Sequence, residues 1–182
     1  MRSRSVLFMS CILLLAGTTT SIAATLDLPL LKRNAQIFEG IVNEVVKQNF
    51  PNPLAMTEGA KASYLQEYGI AVSLHLNINR ANLRTPFGLV QTEKEDRSKE
   101  EQLQILKNSM VRCLEDYGGT FKQLPGGHFV ALALHVEDRN ELDPSRNTTI
   151  VIISASKENV DFVTMGKISS EQFEERVRIT EY

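Results

Sequence analysis

The chain has 182 residues, with 20 basic and 22 acidic side chains and a formal net charge of −2. A net charge this close to zero gives no excess of positive charge to attract nucleic acid or an anionic membrane surface. We therefore expect neither as a lasting binding partner. The length suits one domain that buries its own hydrophobic core.

The first two dozen residues have the composition of an export signal. Arg2 and Arg4 provide a positive start, and an almost unbroken apolar stretch runs from Val6 to Ala16. A tail of small residues then leads to Ala23 and Ala24, which suits a signal-peptidase site. The sequence therefore predicts export, with cleavage near Ala23 or Ala24.

Cleavage there divides the chain into a signal peptide, residues 1–24, and one globular domain, residues 25–182. The domain is expected to be periplasmic or secreted, and to meet the membrane only transiently through its signal peptide. Two alternatives stay open: retention as an anchor, because about 20 residues can span a bilayer, and lipidation at Cys11. The threonines at 18–20 oppose the first, and the apolar residues that follow Cys11 oppose the second.

After cleavage the domain keeps Cys113 as its single thiol. A single thiol forms no intrachain disulfide, so packing must hold the fold together. Cys113 lies next to Leu114 on a predicted helix, and this setting is typical of a buried, unreactive thiol.

Two long helices are predicted from apolar residues that recur every three or four positions. The first runs from Pro29 to Phe50, with Asp27 as its N-terminal cap. The second presents an apolar stripe from Leu103 to Tyr117 and ends at Gly118-Gly119. Two capping boxes are available for its start: Thr92 with Glu95, and Ser98 with Glu101.

Three long strands are predicted between and after these helices. Ile70 to Ile78 alternates strictly between apolar and small or polar residues, and Ala62 to Leu65 suggests a shorter strand before it. His128 to Glu137 and Thr148 to Ala155 are expected to form an antiparallel hairpin. Because Thr148 to Ala155 is apolar on both faces, we place it centrally, between the other two long strands.

The remaining segments complete the predicted fold. Asn79 to Lys94 lacks a sustained period and is interpreted as an exposed loop. A short C-terminal helix ends at Gly166, and Ser169 and Gln172 open a last turn or two. Phe173, Val177 and Ile179 are expected to form a narrow apolar edge that docks on the domain. The fold class is α/β (α+β): a single small domain with a three- to four-stranded mixed sheet, two long helices and short C-terminal helices.

The polar side of the first long strand is the candidate ligand-binding site. Ser73, His75 and Asn77 share that side, and His135 joins them if the two strands belong to one sheet. Such a set suits a small polar ligand, or a metal ion held by two histidines and a carboxylate such as Glu137. The alternative is the ordinary solvated face of an antiparallel sheet, in which polar and apolar residues alternate without further function.

The motifs of known chemistry are missing from the sequence. Neither H-x-H nor H-E-x-x-H spacing supports a metal site, and Ser73 has no G-x-S-x-G elbow. Gly118-Gly119 and Gly126-Gly127 lie at turns that precede a strand, so no helix N-terminus faces a phosphate there. We therefore assign no catalytic residue, no metal and no cofactor.

A second candidate surface surrounds the entrance of the first long strand. Tyr64, Phe87 and Leu89 lie in or near the predicted loop, where exposed aromatic and aliphatic side chains often contact partners. The same residues also suit a local extension of the core.

Three segments carry a resemblance that spans most of the domain: Glu67-Tyr68-Gly69, Asp116-Tyr117-Gly118-Gly119-Thr120, and the stretch from Ser156 through Gly166-Lys167-Ile168-Ser169 to Phe173. In these segments the chain loosely resembles uncharacterised exported bacterial proteins. The resemblance implies an exported single domain and implies no activity.

The leading hypothesis from the sequence is a non-enzymatic exported domain. It would bind a protein or envelope component, through its sheet face or through the loop Asn79 to Lys94. The alternative is a periplasmic protein that binds a small molecule or metal, or acts as a hydrolase, at His75 and His135. The alternative requires the two histidines to lie within a few ångströms of each other in a concave site.

Overall fold

The computed structural model describes residues 26–50, 56–77, 82–85, 88–91, 97–138 and 147–182. Side chains are not described for residues 57, 82–85, 88–91, 138 and 147, and the predicted signal peptide lies outside the described ranges. The helices are α1 (Leu28–Asn49), α2 (Lys99–Tyr117), α3 (Lys157–Thr164) and α4 (Ser170–Glu174). The strands are β1 (Met56–Leu65), β2 (Gly69–Asn77), β3 (Asn82–Thr85), β4 (Gly88–Gln91), β5 (Phe129–Asp138), β6 (Asn147–Ser156) and β7 (Arg178–Glu181).

Five strands form one mixed sheet in the order β1-β2-β5-β6-β7. β2 and β5 are parallel, and every other neighbouring pair in this sheet is antiparallel. The connection from β2 to β5 contains α2, as expected when parallel strands need a crossover. The predicted mixed α/β class is confirmed, whereas the prediction of three or four strands is too low by at least one.

The strand order corrects the prediction for the centre of the sheet. β5 is the middle strand, and β6 lies between β5 and β7. Thr148 to Ala155 is therefore not between the other two long strands. An apolar composition on both sides of a strand does not require a cover on both sides, so it does not identify the central strand.

Two further segments differ from the sequence prediction. The segment Asn79 to Lys94, predicted as a loop, contains the antiparallel hairpin of β3 and β4, which pair from Asn82 with Gln91 to Thr85 with Gly88. Of the apolar edge predicted at Phe173, Val177 and Ile179, Phe173 is fully buried in the core and Val177 packs against it, whereas Ile179 is exposed on the edge strand β7, which the sequence pattern does not predict. Short segments of this kind carry too little alternation to be recognised without their partners.

The helix boundaries follow the predicted caps. The Asp27 carboxylate accepts from the Leu30 backbone N–H at 2.9 Å, and α1 begins one residue after Asp27. At α2 the structure uses the capping box of Ser98 and Glu101. A second capping box, Ser169 with Gln172, opens α4 as predicted.

All four helices contribute to a hydrophobic core on one face of the sheet. The core residues of the central strands come from alternate positions, those of β2 and β5 even-numbered and those of β6 odd-numbered. Phe38, Met110, Val160 and Phe173 bring α1, α2, α3 and α4 into the same cluster, and each is fully buried. Full burial of side chains of this size stabilises the fold by about 1.5–3 kcal/mol each.

Both edges of the sheet are protected against the addition of a further strand. On β1, the backbone N–H of Ala60 donates to Asn43 Oδ1 and that of Ala62 donates to Glu39 Oε1, each at 2.7 Å. Asn43 and Glu39 belong to α1, so helix side chains occupy edge positions that another strand would use. At the opposite edge, β7 is only four residues long.

Candidate ligand-binding face

We call the face of the sheet opposite the core the open face. No residue of this face belongs to the hydrophobic core cluster of the described residues, and most of its side chains are partly exposed. Successive side chains of a strand point to opposite faces, so the odd-numbered positions of β2 and β5 and the even-numbered positions of β6 lie here. Its central members are Ala71, Ser73, His75, Asn77, Phe129, Ala131, Ala133, His135, Glu137, Ile150, Ile152 and Ser154.

The two histidines of the candidate site lie side by side on this face. β2 and β5 are parallel and in register, and His75 is directly opposite His135. Their imidazole rings stack with centroids 4.4 Å apart and planes only 5° from parallel. The register depends on Gly69, where φ is +126° and an added Cβ would lie 2.1 Å from the Phe129 carbonyl oxygen. Only glycine suits such a close approach.

The pair favours neutral imidazole at position 135. Burial lowers the pKa of His135, and the neighbouring His75 lowers it further, because two adjacent imidazolium ions repel each other. Two carboxylate side chains lie near the two histidines. Glu58 on β1 is the register partner of His75, and Glu137 lies two residues beyond His135 on the same face.

The other two predicted ligand-binding residues flank the histidines on β2. Ser73 is half-buried and faces Ala133, whereas Asn77 is only 5% exposed and faces Glu137. The sheet therefore brings Ser73, His75, Asn77 and His135 together as one continuous surface. Among the described residues, no group of three His, Cys, Asp or Glu side chains is arranged to hold a metal ion.

An apolar region adjoins the histidines, and the sequence analysis does not predict it. Ile150 is the register partner of His135, and Ile152 is the partner of Ala133; both are partly exposed. Towards the other end, Phe129 stacks on Tyr68 with ring centroids 5.5 Å apart. The sequence signal for this region is the two-sided apolar pattern of β6, which also fits a strand that is covered on both faces.

Of the three residues predicted to contact a partner, Tyr64 is the one whose side chain the structure describes. Tyr64 is partly buried and packs against the core, on the face covered by the helices. Phe87 lies outside the described residues. For Leu89, the backbone belongs to β4 and the side chain is not described.

Two side chains that can act as nucleophiles, Cys113 and Lys157, are buried and lie away from the open face. Burial raises the pKa of the Cys113 thiol to about 12, and the nearby Asp116 carboxylate adds to this effect. A thiol in this state is a poor nucleophile at neutral pH, which fits the unreactive role expected of it. Lys157 is 1% exposed, and its ammonium is paired with the Asp161 carboxylate one turn further along α3.

Comparisons with known proteins add no assignment. No protein-family model matches the chain, and no curated protein or solved structure matches it either. Within the ranges that the structure describes, no helix combines the length and apolarity needed to cross a bilayer.

Proposed function

We propose that this protein is an exported, non-enzymatic domain that binds a protein partner through the open face of its sheet. One observation carries the proposal: the described helices pack on one face, and the other face presents partly exposed Ile150, Ile152 and Phe129. An uncovered face with aliphatic and aromatic side chains is a common feature of binding surfaces.

The shape and composition of the open face favour a macromolecule over a small ligand. Five strands at a spacing of about 4.8 Å make a surface roughly 20 Å wide. Its middle combines the stacked His75 and His135 with the aliphatic Ile150 and Ile152, whereas Lys61 and Arg178 lie on the edge strands. A centre with aliphatic side chains and a charged rim resembles the anatomy of a protein interface.

The protected edges support docking on the face. Addition of a partner strand needs unpaired backbone groups along an edge. On β1, α1 side chains already accept from the N–H groups of Ala60 and Ala62. A partner is therefore expected to use side-chain contacts on the open face.

The exported compartment rests on the composition of residues 1–24. We propose that the signal peptide is removed and that the domain acts in the periplasm or outside the cell. Intact-mass measurement of the protein recovered from an exporting bacterial host tests this point, with removal of 23 or 24 residues as the expected result.

Site-specific photocrosslinking tests the binding surface. A photoreactive amino acid replaces Ala133, at the centre of the open face, and the matched control carries it at Gln104, an exposed position on α2. We expect one discrete adduct from position 133 in the exporting host, none from position 104, and loss of the adduct when Ile152→Lys is added. Equal adducts at both positions, or none at position 133, would contradict the proposal. A crosslink between two copies of this chain would show that the partner is a second copy of the same protein.

A second candidate function is the binding of a small molecule or metal at Ser73, His75, Asn77 and His135, with hydrolysis as a further possibility. The stacked imidazoles favour it, because their 4.4 Å separation satisfies the proximity that this function requires. Thermal shifts of the protein with divalent metals and small envelope metabolites test this candidate, since a ligand that binds only the folded state raises its apparent stability.

A further inference from the structure

We propose that His75 and His135 together chelate one divalent transition-metal ion, of the class represented by Zn²⁺ and Cu²⁺, on the open face. The inference deepens the second candidate function, on which it rests. It does not require the protein partner of the leading proposal.

The backbone brings the two donor groups to the same level of the sheet. In-register neighbours on parallel strands project their side chains in the same direction, and His75 and His135 are such neighbours. Their rings are stacked and almost parallel, and because each nitrogen lone pair lies in its own ring plane, both can point at one ion only after the rings turn out of the stack. Each nitrogen must come within about 2.0–2.1 Å of the metal, which puts the two nitrogens roughly 3.4 Å apart in tetrahedral geometry. The 4.4 Å between the ring centroids brings both imidazoles within reach of one ion, provided that rotation about their side-chain torsions turns both lone pairs towards it.

The donor type selects the class of metal. Neutral imidazole suits Zn²⁺, Cu²⁺ and Ni²⁺, whereas Ca²⁺ and Mg²⁺ prefer oxygen donors. Glu58 and Glu137 add negative charge close to the pair, which favours a cation. The proposed site takes two protein donors, the imidazoles of His75 and His135, with water at the remaining coordination positions. Such an open site is expected to prefer Cu²⁺ to Zn²⁺, in the usual order of affinities.

Calorimetric titration of the purified protein, first freed of metal by a chelator, tests the site with Zn²⁺ alone and with Cu²⁺ alone. We expect one ion per chain, and a loss of affinity of about tenfold or more in His75→Gln and in His135→Gln, because each removes one of two chelating donors. His128→Gln is the matched control, since His128 is the one histidine of the sequence outside the pair. Its affinity should equal that of the unmodified protein.

A measurement on the unmodified protein keeps the test independent of folding of the variants. Substoichiometric Cu²⁺ should broaden the imidazole proton resonances of His75 and His135 together and leave those of His128 sharp. Absence of binding, unchanged affinity in either glutamine variant, or broadening at one histidine of the pair only would overturn the inference. Crosslinking from position 133 in the presence of a chelator separates the two proposals, because it reports the protein partner without the metal.

Discussion

The two faces of the sheet differ in what their side chains do, although the same strands build both. On β6, Val151 and Ile153 are fully buried in the core, while Ile150 and Ile152 are partly exposed on the open face. On β5, Leu134 is buried and its neighbour His135 stacks on His75. Strand alternation thus lets one face supply stability and leaves the composition of the other free of the demands of core packing.

The core face shows the uniform composition that packing demands. Its members on β2, β5 and β6 are aliphatic, and their buried area supplies the main driving force for folding. The open face instead combines imidazole, hydroxyl, amide, aliphatic and aromatic groups. Substitutions on the two faces should therefore have different consequences, and the following predictions test that difference.

The largest expected difference is in the alkylation rate of a thiol in the core compared with that of a thiol on the open face. In a chain carrying Cys11→Ser, the single remaining thiol, Cys113, is buried with a pKa of about 12. Near pH 8 its thiolate fraction is about a thousandfold below that of a thiol with a pKa of 9.0. Alkylation by iodoacetamide, followed by mass spectrometry, should be correspondingly slow at Cys113 in the folded protein.

The matched probe for the open face is Ser73→Cys, combined with Cys11→Ser and Cys113→Ser. Ser73 is half-buried on that face, so the introduced thiol should react quickly without unfolding. Comparable rates for the two thiols would show that the faces do not differ in accessibility.

Two adjacent isoleucines provide a direct comparison of stability. Ile153→Ala removes a fully buried side chain and should lower the free energy of unfolding by about 2–5 kcal/mol. Ile152→Ala removes the same atoms from a partly exposed position and should lower it by about 1 kcal/mol or less. Urea denaturation measures both values. An equally large loss for Ile152→Ala would show that the open face is packed like the core.

Removal of an edge cap should have an intermediate effect. In Glu39→Ala the Ala62 N–H loses its acceptor, and the free energy of unfolding should fall by about 1 kcal/mol. Glu39→Gln keeps an oxygen acceptor of the same length and should remain close to the unmodified protein. If both variants are equally destabilised, the negative charge and not the hydrogen bond is what matters at this edge.

The smallest expected effect is on the pH dependence of stability. The pKa of His135 is lower in the folded protein than its ordinary value of 6.5, so the unfolded chain takes up the proton first as pH falls. Above its ordinary pKa, His135 is neutral in both states and contributes nothing to the free energy of unfolding. As pH falls through that pKa the free energy of unfolding decreases, and below the pKa of His135 in the folded protein it decreases no further.

Urea denaturation in the presence of a chelator, at about pH 7.5 and about pH 5.5, measures this contribution. The loss of stability on acidification should be smaller in His135→Gln, with the carboxylates of Glu58 and Glu137 unchanged in both proteins. A loss of the same size in that variant would assign the pH dependence to other groups.

The parts of the fold predicted correctly depend on residues close together in the chain. The Asp27 cap and the Ser169 and Gln172 capping box involve positions three residues apart, and the helix and strand periods repeat within a few residues. The predicted side of β2 that carries Ser73, His75 and Asn77 is confirmed by the burial of Val72, Leu74 and Leu76 on the other side.

The parts that were missed depend on pairing between distant segments. β7 and the hairpin of β3 and β4 are four residues per strand, too short for their periodicity to indicate a strand before its partner is known. The central place of β5 likewise depends on a parallel pairing with β2 across α2, which no local pattern encodes.

For this protein, the sequence by itself determined the helices, the long strands, their apolar sides and the two-sided character of β6, because these follow from backbone periodicity and local hydrogen bonds. The tertiary structure alone decided that β5 is central, that β6 shows one apolar side on the open face, and that His75 and His135 stack in register. Strand order and register are set by long-range burial and turn geometry, which act only once the segments meet.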